Sequence, residues 1–282
     1  MSFLFESQKR IYWLYLLSSV VLILLFRKKV IFKRMPWWTA SYTVDICWLV
    51  INQLCLKWWI LPFFTAQVSV ALWVNSSLID YFGPGNFFKL SMPVFTVFFA
   101  FILFVIDDFG KFIVHFSFHK IHFLWPFHAV HHSATTLTPL TLYRIHPIEF
   151  IFNSIRSFSV GALVSGLFVY LFANNVSVFT IAGVNIFIFI FNLAGSNLRH
   201  SPFYLGFGWA ERLFISPAQH QIHHSVNVKH FNKNYGSALS IWDALFNSLM
   251  LSKKEQVSAV GLDQGKTDRQ TISQQWRGVR GK

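Results

Sequence analysis

Cysteine is nearly missing from this chain: only Cys47 and Cys55 occur in 282 residues. Eight residues apart on one helix, they would lie ~12 Å from each other, beyond disulfide reach. No disulfide framework follows, and neither cysteine belongs to a pair with metal-binding spacing. Charge is scarce too. Asp, Glu, Lys and Arg make up 12% of the chain, too little for an ordinary soluble domain. Acidic residues number 11 against 24 basic ones, a net charge of +13. That excess does not mark a nucleic-acid binder, because no basic helix or base-reading motif accompanies it. The glycine fingerprint of dinucleotide binding is absent, as is any haem or flavin motif.

What is abundant is apolar and aromatic: 54% hydrophobic residues, 34 Phe, 11 Trp and a mean hydropathy of +0.46. Several runs are therefore expected in lipid. Ile11 to Phe26 follows Lys9 and Arg10 and ends in RKK without a small-residue cleavage site, which reads as a retained membrane anchor. The basic residues after it place the following loop in the cytosol and the N-terminus outside. A second helix is framed by Trp37-Trp38 and Trp58-Trp59, two aromatic belts ~30 Å apart. Residues 60–90 carry turn signals at Asn75-Ser76-Ser77 and Gly83-Pro84-Gly85, and are expected to be external or half-embedded. Leu90 to Ile106 then crosses back, with Asp107-Asp108 at the cytoplasmic surface. Ile148–Phe172 and Val176–Leu193, joined at Asn174-Asn175, read as a transmembrane hairpin. From Ser252 the chain turns polar, as a disordered cytosolic tail would.

The histidines carry the chemistry. Two copies of H-x-x-H-H lie 92 positions apart: His128, His131, His132 and His220, His223, His224. A further pair, His115 and His119, stands just ahead of the first. At this chain's histidine frequency one such pattern is expected roughly 0.02 times by chance. Spacings of i, i+3 and i+4 place imidazoles on one helix face, and neutral imidazole is the commonest transition-metal ligand. Eight exceed what one ion needs, so two ions with open positions fit better. The ligand type alone leaves zinc, copper, iron and nickel open. The H-E-x-x-H zinc-protease signature is missing, since Phe116 and Ala129 follow the first histidines. A transporter would place its ligands near mid-membrane on broken helices, whereas these clusters flank the apolar runs.

The ordered motifs Asp108-Phe109, His115 and His119, LWPFHAVHHS (124–133), RIHPIE (144–149), His200, SPAQHQIHHS (216–225), KNYG (233–236) and IWDALF (241–246) resemble the fatty acid hydroxylase / sterol desaturase superfamily. The resemblance covers roughly residues 100–250. It implies an integral membrane di-iron enzyme that uses O2 and external electrons to hydroxylate or desaturate unactivated C–H bonds of lipids. It also implies a ligand set of His115, His119, His128, His131, His132, His200, His220, His223 and His224. For His200 the alternative is a helix-end histidine paired to backbone. His146, with Arg144 and Glu149, is expected to support the ligands rather than bind metal. Asp108, Glu149 and Asp243 are the acidic candidates to accept the ligands' other N–H groups. His122 and His230 have no counterpart in the family. Phe116, Phe118, Phe123, Trp125 and Phe127 are expected to keep the site apolar, or else to pack or face lipid. One departure stands out: Ile113 and Phe116 occupy positions where members often carry Trp and Arg, which weakens any inference about substrate.

The expectation is thus an all-α, multi-pass membrane bundle with a cytosolic histidine-rich cap holding a di-metal site. Residues 1–99 form an N-terminal transmembrane region, 100–251 the catalytic domain and 252–282 the tail. The cofactors are two Fe ions, with Zn an alternative occupant, and O2 is the co-substrate. Electrons come from NAD(P)H through a separate b-type cytochrome, ferredoxin or reductase, an acidic carrier suiting the basic face. The substrate is a sterol, fatty acyl or ether lipid of the bacterial cytoplasmic membrane or endoplasmic reticulum. The rivals are a desaturase of the same family and a non-enzymatic metal-binding or transport protein.

Overall fold

In the computed structural model the described residues are 12–25, 39–172, 186–255, 257–262 and 272–279, without the side chains of 55–65 and 274. Helices form where the apolar runs lie: α1 (Trp13–Leu25), α2 (Ala40–Phe82), α3 (Met92–Lys120), α4 (Trp125–His132), α5 (Pro147–Phe172) and α6 (Ile186–Leu193). Three short helices follow, α7 (Pro217–His223), α8 (Ile241–Leu245) and α9 (Ile272–Trp276). The described residues hold no strand, only the isolated bridges Phe214–Leu239 and Ser225–Val260. One described helix, α5, is long and apolar enough to cross a membrane, and α1 is apolar but shorter.

Two long helices depart from expectation. α2 runs through Asn75-Ser76-Ser77 without a turn and stops only at Gly83, whose φ of +84° suits glycine. Residues 60–82 are thus helical, with no turn at Asn75-Ser76-Ser77. Asn and Ser cost only tenths of a kcal/mol in a helix interior, and packing on α5 outweighs that. A Cβ at Gly166 of α5 would lie 2.6 Å from the Ala71 carbonyl oxygen and 2.7 Å from Val74 Cβ. Gly166→Ala is therefore expected to destabilise the protein by about 2–3 kcal/mol, the upper range for overpacking, measured as a lowered thermal midpoint. α3 also continues past its apolar run. Its first half packs Phe95 and Phe99 against Val164, Phe168 and Phe172 of α5, with ring pairs at 5.1–5.9 Å such as Phe99–Phe168 and Phe95–Phe168. Its second half rises into the histidine region. Asp108 is not at a free surface: it is 2% exposed, roofed by the chain around Ala238.

The first arm of the expected hairpin is α5. Of the second arm only α6 is described, and the Asn174-Asn175 junction lies outside the described residues. Trp37-Trp38 and the basic residues around α1 lie outside them as well. The tail is corrected. Its described parts are packed, not disordered. Gln275 is fully buried and accepts from Trp48 Nε1 at 2.7 Å. Trp276 stacks on Trp48 at 5.9 Å, and the Val279 N–H donates to the Pro126 carbonyl at 2.7 Å. Polar composition hid these few specific contacts, which tie α2 to α4.

α3 and α5 run antiparallel, so the C-terminal end of α3 and the N-terminal end of α5 meet. Asp45, near the start of α2, meets Arg144 just ahead of α5. The 3-10 turn Ser196–His200 follows α6 at the same end. Both histidine blocks therefore share one end of the bundle.

Candidate metal centre

Short helices set the imidazoles. α4 begins with Trp125-Pro126, and proline suits a first turn because its missing N–H would be unpaired there anyway. α7 begins with a capping box. The Ser216 hydroxyl accepts from the Gln219 N–H at 3.1 Å, and Gln219 Oε1 accepts from the Ser216 N–H at 2.9 Å. Each helix thus starts at a fixed point, which fixes the direction of its three histidines.

All nine candidate ligands converge, in two groups. His115, His119, His128, His132 and His223 form one; His131, His200, His220 and His224 form the other. Within each group the ligand atoms lie within 4.8 Å of one another. The two motifs divide in opposite senses. α4 gives its i, i+4 pair (His128, His132) to the first group and His131 to the second. α7 gives its i, i+4 pair (His220, His224) to the second group and His223 to the first. α3 adds His115 and His119, and the turn after α6 adds His200. The groups abut, with His132 stacked on His224 at 4.5 Å.

The donor chemistry fits metal. His115 Nδ1 lies 2.7 Å from the Tyr235 carbonyl oxygen, and His223 Nδ1 lies 2.8 Å from that of Lys233. A carbonyl only accepts, so each Nδ1 carries the proton and each Nε2 keeps its lone pair. The Nε2 atoms of His115, His119, His128, His132 and His223 are buried with no hydrogen-bond partner. In the second group Nε2 atoms face one another: His131–His200 at 3.2 Å, His200–His220 at 3.0 Å and His220–His224 at 3.2 Å. Two nitrogens bound at ~2.1 Å to one ion stand ~3.0–3.4 Å apart at ligand angles of 90–109°. Burial pushes His128 and His131 down to about 3. Burial, with neighbouring imidazoles adding to it, holds His132, His220 and His224 well below the ordinary value. Burial thus favours the neutral form of these five imidazoles, the form that binds metal.

The supporting residues divide less simply. Glu149 Oε2 stands 3.0 Å from His128 Nδ1 and touches the ligand set directly. Asp108 and Asp243 do not. Asp108 accepts from the N–H groups of Ala238 (2.8 Å) and Leu239 (2.9 Å) and from Trp242 Nε1 (3.0 Å). Asp243 accepts from the N–H groups of Tyr235 and Gly236, both at 2.8 Å. They pin the loop whose Lys233 and Tyr235 carbonyls orient His223 and His115. Arg144 lies against the ligand His131 through its backbone, but its guanidinium and the His146 ring are directed elsewhere. Arg144 Nη1 bonds Asp45 Oδ1 (3.3 Å) and Ser41 Oγ (3.1 Å) of α2. His146 donates from Nε2 to the Trp276 carbonyl at 2.9 Å and accepts the Ile148 N–H at Nδ1. Both ring nitrogens of His146 are thus occupied, and the Arg144 guanidinium is turned toward Asp45 while the Arg144 backbone stays beside the His131 ring.

Two buried residues escaped the sequence reading. Gln221 Nε2 lies within 3.1 Å of the carbonyls of Leu198, Ser201 and Phe203, holding the His200 turn against α7. Its place inside the second H-x-x-H-H, where the first copy has Ala129, was the available signal. Glu211, 1% exposed, accepts from the Ser216 hydroxyl and the Ser252 N–H. Nothing near it in sequence pointed to that role. Of the aromatics, Trp125 lies against His119 at 5.0 Å and Phe118 against His128 at 6.1 Å. Phe127 packs on His146, Phe116 on Tyr235 and Phe246, and Phe123 is 70% exposed. His122 and His230 stand outside both groups, His230 paired to Glu255 at 3.1 Å.

Two cavities reach the centre. One, of about 270 Å³, meets histidines of both groups, His115 and His128 with His131, His200 and His220. The other, of about 440 Å³, meets His119, His132 and His223 beside Trp125 and Phe231.

Residues 100–248, more than half of the chain, match the fatty acid hydroxylase family. The chain belongs to that family. It is 30% identical over 159 residues to an ornithine lipid hydroxylase of Rhizobium tropici, covering 56% of this chain and 44% of that protein. It is 25% identical over 160 residues to the alkylglycerol monooxygenase of Caenorhabditis elegans (55% and 28% covered) and 25% over 150 residues to that of Homo sapiens (53% and 30%). The match thus spans less than half the length of each of these relatives. No solved structure matches the chain.

Proposed function

We propose that this family member is a membrane-bound lipid hydroxylase that inserts one oxygen atom of O2 into an unactivated C–H bond. The observation that carries the reading is the convergence of nine buried histidines into two abutting groups of metal-ligand geometry. The relatives, all hydroxylases or monooxygenases by name, favour hydroxylation over desaturation. The second oxygen atom leaves as water, with two electrons and two protons drawn from an external carrier.

The nine histidines would hold two iron ions, and bound iron would supply O2 activation and C–H oxidation. The rest falls to the chain. The Tyr235 and Lys233 carbonyls and Glu149 fix ring orientation. Asp108 and Asp243 fix the loop that carries those carbonyls. Pro139, Leu142 and Ile145 give the smaller cavity an apolar wall where both groups are reached, which suits an alkyl segment and limits water. The reading includes several membrane crossings, with the histidine end in the cytosol. Exposed apolar side chains on α1, α3 and α5, such as Leu24, Phe98 and Leu163, support lipid contact.

The test is lipid profiling of cells expressing the wild type or His131→Ala/His223→Ala, with and without O2. A lipid heavier by one oxygen, present only with wild type and O2, is the expected result. A lipid lighter by two hydrogens would replace hydroxylation with desaturation. Reversible metal uptake with no product would replace the enzyme with a metal carrier.

A further inference from the structure

The cavity that reaches both histidine groups is not purely apolar. Lys111 lines it, one helical turn before His115 on α3, ~6 Å along the axis. Arg199, Asn153 and Asn197 line it as well, and Arg199 is only 5% exposed. Glu149 is the one acidic residue in the wall, and it is turned onto His128. Lys111 is itself ion-paired to Asp107 at 2.7 Å, but Arg156 shares that carboxylate, so two cations face one acid and the trio keeps a net positive charge. Asp108 is spent on the Ala238–Trp242 segment. Besides its histidines the wall thus carries two cations, two amides and one carboxylate. Burying such groups beside plain hydrocarbon would be costly.

We propose that Lys111, with Arg199 in the same cavity wall, binds the anionic group of the substrate lipid, a carboxylate or a phosphate, so that the carbons offered to the metal centre lie within a few bonds of that group. This rests on the hydroxylase reading. Lys111 thereby determines specificity, selecting anionic over neutral lipids and the head-proximal end over the distal chain.

The test uses the purified full chain in neutral phosphatidylcholine nanodiscs, titrated calorimetrically with hexanoate, hexyl phosphate, hexanol and hexyltrimethylammonium. Iron content is measured in parallel. One or both anions are expected to bind about tenfold or more tightly than hexanol, and the cation least. Which anion binds better separates carboxylate from phosphate. Lys111→Met is expected to erase that preference while keeping wild-type iron content, and Lys111→Arg to restore it. Equal binding of all four probes by the wild type overturns the proposal, as does an unchanged preference in Lys111→Met. An anion preference in a protein that takes up no iron leaves the anchor standing and removes the hydroxylase reading. Iron without a preference does the reverse. Should Lys111→Met fail to fold, the wild-type series decides alone.

Discussion

His224→Ala is expected to leave about one iron per chain where the wild type holds about two, whereas His223→Ala is expected to lose iron only under chelation. The asymmetry follows from the 5 and 4 division of the ligands. The second group has four imidazoles, and His224 lies near its centre, with ring contacts to His131, His200 and His220 at 4.7–5.2 Å. Removing it leaves three donors and a hole in a buried wall. The first group keeps four donors without His223, enough for an ion held more weakly. His131→Ala/His223→Ala takes one donor from each group and should lower product formation more than ~100-fold, beyond the 10–100-fold typical of outer-sphere changes. Elemental analysis before and after dialysis against a chelator reads the stoichiometry, and product formation reads the activity. Two irons retained by both single variants would sink the assignment of ligands. A wild type that folds and takes up no metal would sink the centre itself.

Asp243→Ala should unfold the loop that orients the ligands. Asp243 is fully buried and accepts from two backbone N–H groups and from the Ser248 hydroxyl at 2.6 Å. Removing the carboxylate orphans both N–H groups, at about 1–3 kcal/mol each, so a loss of about 3–5 kcal/mol is expected. The damage reaches the metal through one bond, because the Tyr235 carbonyl is the partner of His115 Nδ1. Iron content should fall together with the thermal midpoint of the metal-free protein. His224→Ala should lose iron while keeping most of that metal-free stability. Thermal unfolding of both variants, with and without iron, separates the two effects. An Asp243→Ala protein with the wild-type midpoint would show that the loop does not depend on this carboxylate.

The two variants also mark how far local pattern carries. His115, His119 and both H-x-x-H-H triplets were legible, because helix periodicity fixes which rings share a face within a few residues, whereas the lone His200 came only from the family resemblance. The roles of the carboxylates were not local. Asp108 reaches Ala238, 130 residues away, and no spacing rule shows that an acid beside a histidine motif will serve a distant backbone instead. The partners of the His146 ring and of the Arg144 guanidinium, Trp276 and Asp45, come likewise from the tail and from α2. The turn foreseen at Asn75 yielded to helix because packing on Gly166 outweighs a weak local preference.

By itself, then, the sequence determined the histidine inventory, the all-helical class and the pairing of apolar helices with a polyhistidine centre, since each is written in short-range periodicity and composition, and its ordered motifs carried the resemblance to the family. Only the tertiary structure decided the division into five and four, the choice of Glu149 over Asp108 and Asp243 as direct neighbour of a ligand, and the cationic wall beside Lys111. Those depend on where chain segments a hundred or more residues apart come to rest, and packing and burial settle that globally.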